Sequence, residues 1–415
     1  MKQPKSVWGW ALYDWGNSAY STAVMAGFFP IFFKQYWSDG ADVNESTFYL
    51  GIANFTASLV IVLLAPLLGA MADRCGHRKR YLFRFAILGI VTTALLPLVG
   101  QGEWQWAVFL YVLATVGFSG SISFYDSLLI FVAPRKELDH ISALGYAIGY
   151  LGGGLLFAVT VGMTLKPELF GLADSAAAVK VAFYLVAIWW GIFSVPLMLW
   201  VVEPDVQAGA PSIGRLFIDA VRELRYTFAE IRQQRMVWLF LIAYWCYIDG
   251  VDTIIRMAVD YGLALGFSSD SLIIALLITQ FVGFPAALVF GRIGTIRGPK
   301  FGIQIAIAIY TLIIIYAYFM DSEFEFYMMA VAIGLVQGGI QSLSRSLYTR
   351  LIPREKSAEF FGFYNMLGKF AALLGPLLIG WTSLITHDSR LSILSLIPLF
   401  AIGAWLLNKV ELERH

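Results

Sequence analysis

Runs of about twenty or more apolar residues, long enough to cross a bilayer, alternate along the chain with short polar breaks. Divided at those breaks, the pattern predicts twelve helical spans at 8–34, 49–72, 81–100, 105–133, 140–163, 179–202, 236–261, 270–291, 300–319, 326–351, 358–384 and 391–408. The one long polar connection, Glu203 to Arg235, separates them six and six. The expected organisation is therefore an amino-terminal six-helix half at 1–202, a cytoplasmic linker at 203–235 and a carboxyl-terminal half at 236–415. Within the linker Ile213, Leu216, Phe217, Val221, Leu224 and Phe228 recur at helical spacing among arginines, the pattern of an amphipathic helix at a membrane surface. Lys2 and Lys5 resemble the start of a signal peptide. Tyr13, Asp14 and Asn17 interrupt the apolar run, however, so a retained first span is expected.

Composition turns these spans into a class. The chain is 59% hydrophobic and 14% charged with a mean hydropathy of +0.72, which describes an integral membrane protein. A net charge of +1 without basic motifs gives no reason to expect nucleic acid. Cys75 and Cys246 lack CxxC spacing, so neither a disulfide framework nor a zinc site is expected. No GxxxxGK[ST] loop, HExxH or Ser/His/Asp set occurs; the reading is no enzyme, no metal and no cofactor. Of the 29 Lys and Arg residues, 22 fall in one alternate set of loops and the termini, and four (Lys34, Lys166, Lys180, Arg390) in the opposite set. The positive-inside rule then puts both termini in the cytoplasm, in a multi-pass protein expected in a bacterial inner membrane.

The two halves repeat. "GAMADRCGHRK" from Gly69 aligns with "GRIGTIRGPK" from Gly291, matching Gly69/Gly291, Gly76/Gly298 and Arg78/Lys300. "DSLLIFVAPR" (126–135) likewise aligns with "RSLYTRLIPR" (345–354). Such halves are the signature of a parallel repeat about an axis normal to the membrane.

"GAMADRCGHRK" resembles the loop 2–3 motif of the major facilitator superfamily, G-x-x-x-D-R-x-G-R-[RK]. Gly69, Asp73, Arg74, Gly76 and Arg78 stand in register and His77 replaces the first basic residue. The resemblance implies the superfamily's all-α fold, twelve transmembrane helices in two pseudo-symmetric halves, and a cytoplasmic gating role for these five residues. Three further stretches, "YDWGNSAY" (13–20), "YIDGVDTII" (247–255) and "GGIQSLSRSLYTRLIPREKSAEFFGFYN" (338–365), are similar to the vacuole-effluxer-like branch, related to the autophagy-associated vacuolar amino-acid exporter of fungi. That likeness implies a secondary transporter, with amino acids as one candidate cargo. It transfers the fold better than the substrate.

With charges at loops and span ends assigned first, eight remain within spans: Asp14, Asp126, Asp249, Asp252, Asp260, Arg256, Arg345 and Lys369. Charges at membrane depth are expensive, so they are expected to pair or to serve transport. In the superfamily's architecture spans 1, 4, 7 and 10 line the cavity, and these carry most of them. Asp14, Asn17, Ser18 and Ser21 form a polar stripe on span 1. Asp252 and Arg256 are spaced for an i, i+4 pair, whereas Asp249 must find a partner in another helix, a proton or a ligand. A carboxylate stripped of water binds its proton more tightly, which makes Asp14, Asp126 and Asp249 the candidate proton carriers. Asp126 and Arg345 occupy matched positions in the repeat, so acid and base are expected at one level, able to meet across the pseudo-axis; Asp14 lies level with both. Lys369 is a candidate substrate ligand or counter-ion to Asp249. The glycines of "GYAIGYLGGG" (145–154) read as close helix contacts. Trp8, Trp10, Trp37, Trp104, Trp106 and Trp238 fit interfacial belts.

The expected activity is proton-coupled secondary transport of a small polar or zwitterionic solute such as an amino acid, export favoured, by a monomer in the lipid bilayer. The alternatives are an exporter of drugs or amphipathic metabolites, where aromatics hold the ligand, and a non-transporting membrane nutrient sensor.

Overall fold

A computed structural model of the chain describes residues 4–39, 77–203, 228–386 and 389–411, together with Tyr226 and scattered positions between 49 and 72. The linker from 204 to 225, part of span 2, and Asp73, Arg74 and Gly76 lie outside the described residues. What is described is helical, with no strand among those residues. The helices run Lys5–Ala19, Arg78–Leu95, Trp104–Val132, Leu138–Leu165, Ser175–Trp200, Arg235–Ala264, Ser269–Arg297, Pro299–Tyr318, Glu323–Leu351, Ser357–Thr386, Ser389–Leu394 and Ile397–Asn408. Among the described residues nine are long and apolar enough to cross a membrane. A helix meets that demand because every interior N–H and C=O is satisfied within the segment. Large apolar side chains such as Leu63, Ile192, Leu199, Ile296, Leu312 and Trp405 stand exposed on the outside, as a hydrocarbon solvent requires.

Local chemistry sets the ends. Asp174, Ser268 and Ser322 cap the helices that follow them, Ser322 in a reciprocal box with Glu325. Gly298, at φ 87°, turns the chain between spans 8 and 9 in a conformation that L side chains avoid, and Pro299 opens the next helix.

Span 1 departs from a uniform helix. After Ala19 it winds as a π-helix over Tyr20–Phe28, returns to α at Phe29–Phe32, and is π again at Phe33–Trp37. The widened turns pack an aromatic cluster: Phe29 lies 3.9 Å from the Tyr111 ring, and Phe28 meets Phe157 edge-on. Wide winding breaks the 3.6-residue spacing, so Ser21 does not continue the stripe begun at Asp14; its hydroxyl donates to the Ser18 carbonyl instead.

Buried apolar residues form two main clusters. One is built from residues between Val7 and Val201 with Ala358 added, the other from residues between Ile231 and Val410 with Ile130 added. Equivalent contacts recur in both. Gly16 of span 1 lets span 6 approach at Phe193, and Gly250 of span 7 does so for span 12 at Phe400. Lys79 donates to the carbonyls of Met198 and Val201 at the end of span 6. Lys300 donates to those of Asn408 and Val410 at the end of span 12. The structural counterpart of Lys300 is thus Lys79, one residue beyond the Arg78 of the sequence alignment.

Candidate functional site

Span 10 carries a ladder of polar side chains, Gln341, Arg345, Ser346 and Arg350, over about 14 Å at 1.5 Å per residue. Each rung bonds across to the amino-terminal half. Nearest the end that bears the basic loops, Arg350 Nη2 donates to Asp139 Oδ2 at 2.6 Å, and Ser346 donates to the other oxygen of that carboxylate. One turn deeper sits Arg345, 2% exposed. Its Nη1 donates to Asp126 Oδ1 at 3.0 Å, its Nε to Ser142 Oγ at 2.9 Å and its Nη2 to the Ser142 carbonyl at 2.8 Å. Ser142 Oγ in turn donates to the Ser342 carbonyl at 2.7 Å. Deeper still, Tyr150 donates to Gln341 Oε1 at 3.1 Å, made possible by Gly283 and Gly338 against the ring.

The sequence pairing of Asp126 with Arg345 is therefore a direct contact between halves. Three aromatic faces complete the guanidinium's surroundings: Tyr146 at 4.3 Å, Trp10 at 4.8 Å and Tyr125 at 5.4 Å. Each such contact is worth about 0.5–2 kcal/mol, more where water is excluded. Asn365 of span 11 donates to Asp126 Oδ2 at 3.3 Å, so both carboxylate oxygens are engaged. Asp14 is buried beside this group. Its Oδ2 accepts from Tyr125 at 3.2 Å and its Oδ1 from Ser18 at 3.4 Å. Gly149 makes room, since a Cβ there would lie 2.7 Å from Ser18 Oγ and 3.2 Å from the Asp14 carboxyl carbon.

Asn17 is buried and its Nδ2 has no partner. Asp249 belongs to a separate group: its Oδ1 accepts from the Gly375 N–H of span 11 at 3.1 Å. Asp252 is half-buried on the same helix. The side chains of Arg256, Asp260 and Lys369 lie outside the described residues, and with them the expected Asp252–Arg256 pair. Of the loop 2–3 motif, Gly69 abuts span 11, where a Cβ would strike the Ala358 carbonyl at 2.4 Å. Arg78 is buried, donates to the Glu355 carbonyl at 3.2 Å and lies over Phe131.

Several site residues carried no signal in the spans. Trp10 fitted an interfacial belt but is fully buried, stacked on Tyr125 at 4.4 Å with its Nε1 donating to the Tyr125 carbonyl. Trp37 is buried as well. Asp139 falls one residue outside the limit of span 5 at 140, yet it anchors the outermost rung. Trp10 lies one helical turn before Asp14, and Ser142 and Tyr146 one turn apart on span 5; that periodicity was the available clue.

Nine apolar spans among the described residues, in two repeated halves bridged by buried charge, fit the architecture of a membrane transporter of the major facilitator class. Within it the chain belongs to the vacuole effluxer Atg22-like family, whose model matches residues 40–415. It is 38% identical to the uncharacterized MFS-type transporter YxiO of Bacillus subtilis (strain 168), over 97% of this chain and 94% of that protein. It is 23% identical to autophagy-related protein 22 of Saccharomyces cerevisiae (strain ATCC 204508 / S288c), over 100% and 93%. In fold it resembles the human organic anion transporter MFSD10 (TM-score 0.72, 14% identity, 97% and 98% covered). The proton:xylose symporter XylE is similar in the same sense (TM-score 0.69, 13% identity, 99% and 95% covered).

Proposed function

We propose that this protein is a proton-coupled secondary transporter that works by alternating access and moves a small polar or zwitterionic solute, such as an amino acid, in the export direction. The observation that carries the reading is the set of bonds at Arg345. A guanidinium whose three nitrogens all donate to the opposite half cannot release that half unless another acceptor takes its place, because an unpaired buried charge costs about 3–5 kcal/mol. A substrate carboxylate is such an acceptor, and protonation of Asp126 or Asp14 weakens the existing hold. Asp14, joined to the group through Tyr125, is the proposed proton carrier, with Asp126 as the exchangeable partner. The distribution of Lys and Arg supports a cytoplasmic position for the end closed by Asp139, Asp126 and Arg78, and for both termini. The family description, vacuole effluxer, supports export.

A second reading, export of an amphipathic organic anion, draws on the three rings around the same guanidinium and on the likeness in fold to MFSD10, an organic anion transporter. Competition that tracks lipophilicity instead of zwitterionic character separates it from the first.

The test is a charge exchange in proteoliposomes with labelled amino acids and an imposed pH gradient. Asp126→Arg and Arg345→Asp should each abolish flux, and the double exchange should recover part of it. A double variant no better than the worse single change argues against the bridge as a gate. Binding without flux in the wild type would point to a sensor.

A further inference from the structure

Asp249 and Thr253 lie one helical turn apart on span 7, at 1% and 0% exposure. Only one oxygen of the Asp249 carboxylate is bonded. Its Oδ2 and the Thr253 Oγ1 are both fully buried without a hydrogen-bond partner. Buried polar atoms are rarely left so, and a carboxylate oxygen is the most costly to orphan. Both residues meet the same point of span 11. The Gly375 N–H donates to Asp249 Oδ1, and a Cβ on Gly375 would fall 1.8 Å from Thr253 Oγ1. An anionic oxygen and a hydroxyl oxygen, both without a partner, are thus gathered where two helices touch. Asp249 is about 21 Å along its helix from Arg235, well inside the hydrocarbon region.

We infer that Asp249 and Thr253, packed against Gly375, form a binding site for a sodium ion between spans 7 and 11. Both ligands are hard oxygens. A single carboxylate with a neutral hydroxyl balances one positive charge, whereas divalent ions held by protein take several carboxylates or retained waters. The close approach of Thr253 to the glycine backbone favours a small alkali ion. The ion would tie span 11 to span 7, and its gradient could then drive the same alternation as the proton. That use rests on the transporter reading; the binding does not.

The test uses the purified full-length protein in detergent, without substrate, at constant ionic strength. Sodium chloride replaces choline chloride stepwise, with potassium chloride as the comparison, and the thermal unfolding midpoint is read. A saturable rise with sodium, absent with choline and weaker with potassium, is expected. Asp249→Asn should remove it, and Thr253→Val should move it to at least about tenfold higher sodium, the factor for about 1.4 kcal/mol of lost binding. Asp14→Asn should keep it. A midpoint indifferent to the cation, a sodium response that survives Asp249→Asn, or one that vanishes with Asp14→Asn each overturns the site. None of these results bears on whether a pH gradient drives flux, so the two readings fail separately.

Discussion

Asp14 and Arg345 are held one aromatic ring apart, and Tyr125 is that ring. No ion pair joins acid and base; the Tyr125 hydroxyl bonds Asp14 at 3.2 Å while its face lies 5.4 Å from the guanidinium. In the proposed mechanism Tyr125 therefore couples the protonation of Asp14 to Arg345, beside the direct attraction between the two charges. Tyr125→Phe should keep the stack on Trp10 but remove the donor to the carboxylate. A hydrogen bond to a charged group is worth about 1.5–3 kcal/mol, so transport should fall about tenfold or more with the thermal midpoint little changed. Asp14→Asn should be at least as severe. Unchanged flux in Tyr125→Phe would reduce the hydroxyl to a packing detail.

Arg345→Ala leaves Asp126 buried with only Asn365 to bond it. The expected cost is about 3–5 kcal/mol of stability together with loss of transport, read by thermal unfolding and by flux. Arg345→Lys should not restore function, since an ammonium cannot serve Asp126 and both Ser142 oxygens with the planar fork of a guanidinium. Arg350→Ala should be milder, because that side chain is 23% exposed and solvent can take over part of its role.

The sequence made the Asp126–Arg345 contact legible because two facts coincided: a repeat aligned the positions, and charges at membrane depth demand partners. The same logic found Asp14. It missed Trp10, Tyr125, Ser142 and Tyr146, since aromatic and hydroxyl residues are cheap in a membrane helix and carry no such demand. Asp139 was missed because it lies at the boundary of span 5, where solvent explains an acid equally well. The twist of span 1 was illegible too. Its π-wound turns are set by how Phe28, Phe29 and Trp37 pack on other spans, and periodicity along one segment cannot report that.

Gly149 and Gly162 sit on one helix in opposite circumstances. A Cβ at 149 would press on Ser18 and Asp14, whereas nothing lies within 4 Å of one at 162. Gly149→Val should push span 5 off span 1 and abolish transport. Gly162→Ala should leave flux intact and raise stability by up to about 1 kcal/mol through helix propensity. Equal loss in the two would mean that the helix needs flexibility along its length more than room beside Asp14.

Glu203, just past the end of span 6, gives a pH dependence whose sign can be worked out. Its carboxylate accepts from the Lys79 N–H at 2.7 Å, at the start of span 3. Burial pushes this carboxyl above its ordinary value of 4.5, and the bond to Lys79 together with the charges of Arg78, Lys79 and His77 recovers only part of the shift. The folded state therefore holds this proton more tightly than the unfolded chain. The group's stabilising effect is complete below 4.5 and is lost as pH rises through the raised value. Glu203→Gln keeps an acceptor for the Lys79 N–H but does not titrate. The difference in unfolding midpoint, wild type minus variant, should thus be most favourable to the wild type near pH 4, decline as pH passes the raised value, and then level off. Thermal unfolding in detergent from pH 4 to 8 reads it directly. A wild type that gains on Glu203→Gln with rising pH would show the opposite balance, with the neighbouring cations outweighing the loss of water around the carboxylate.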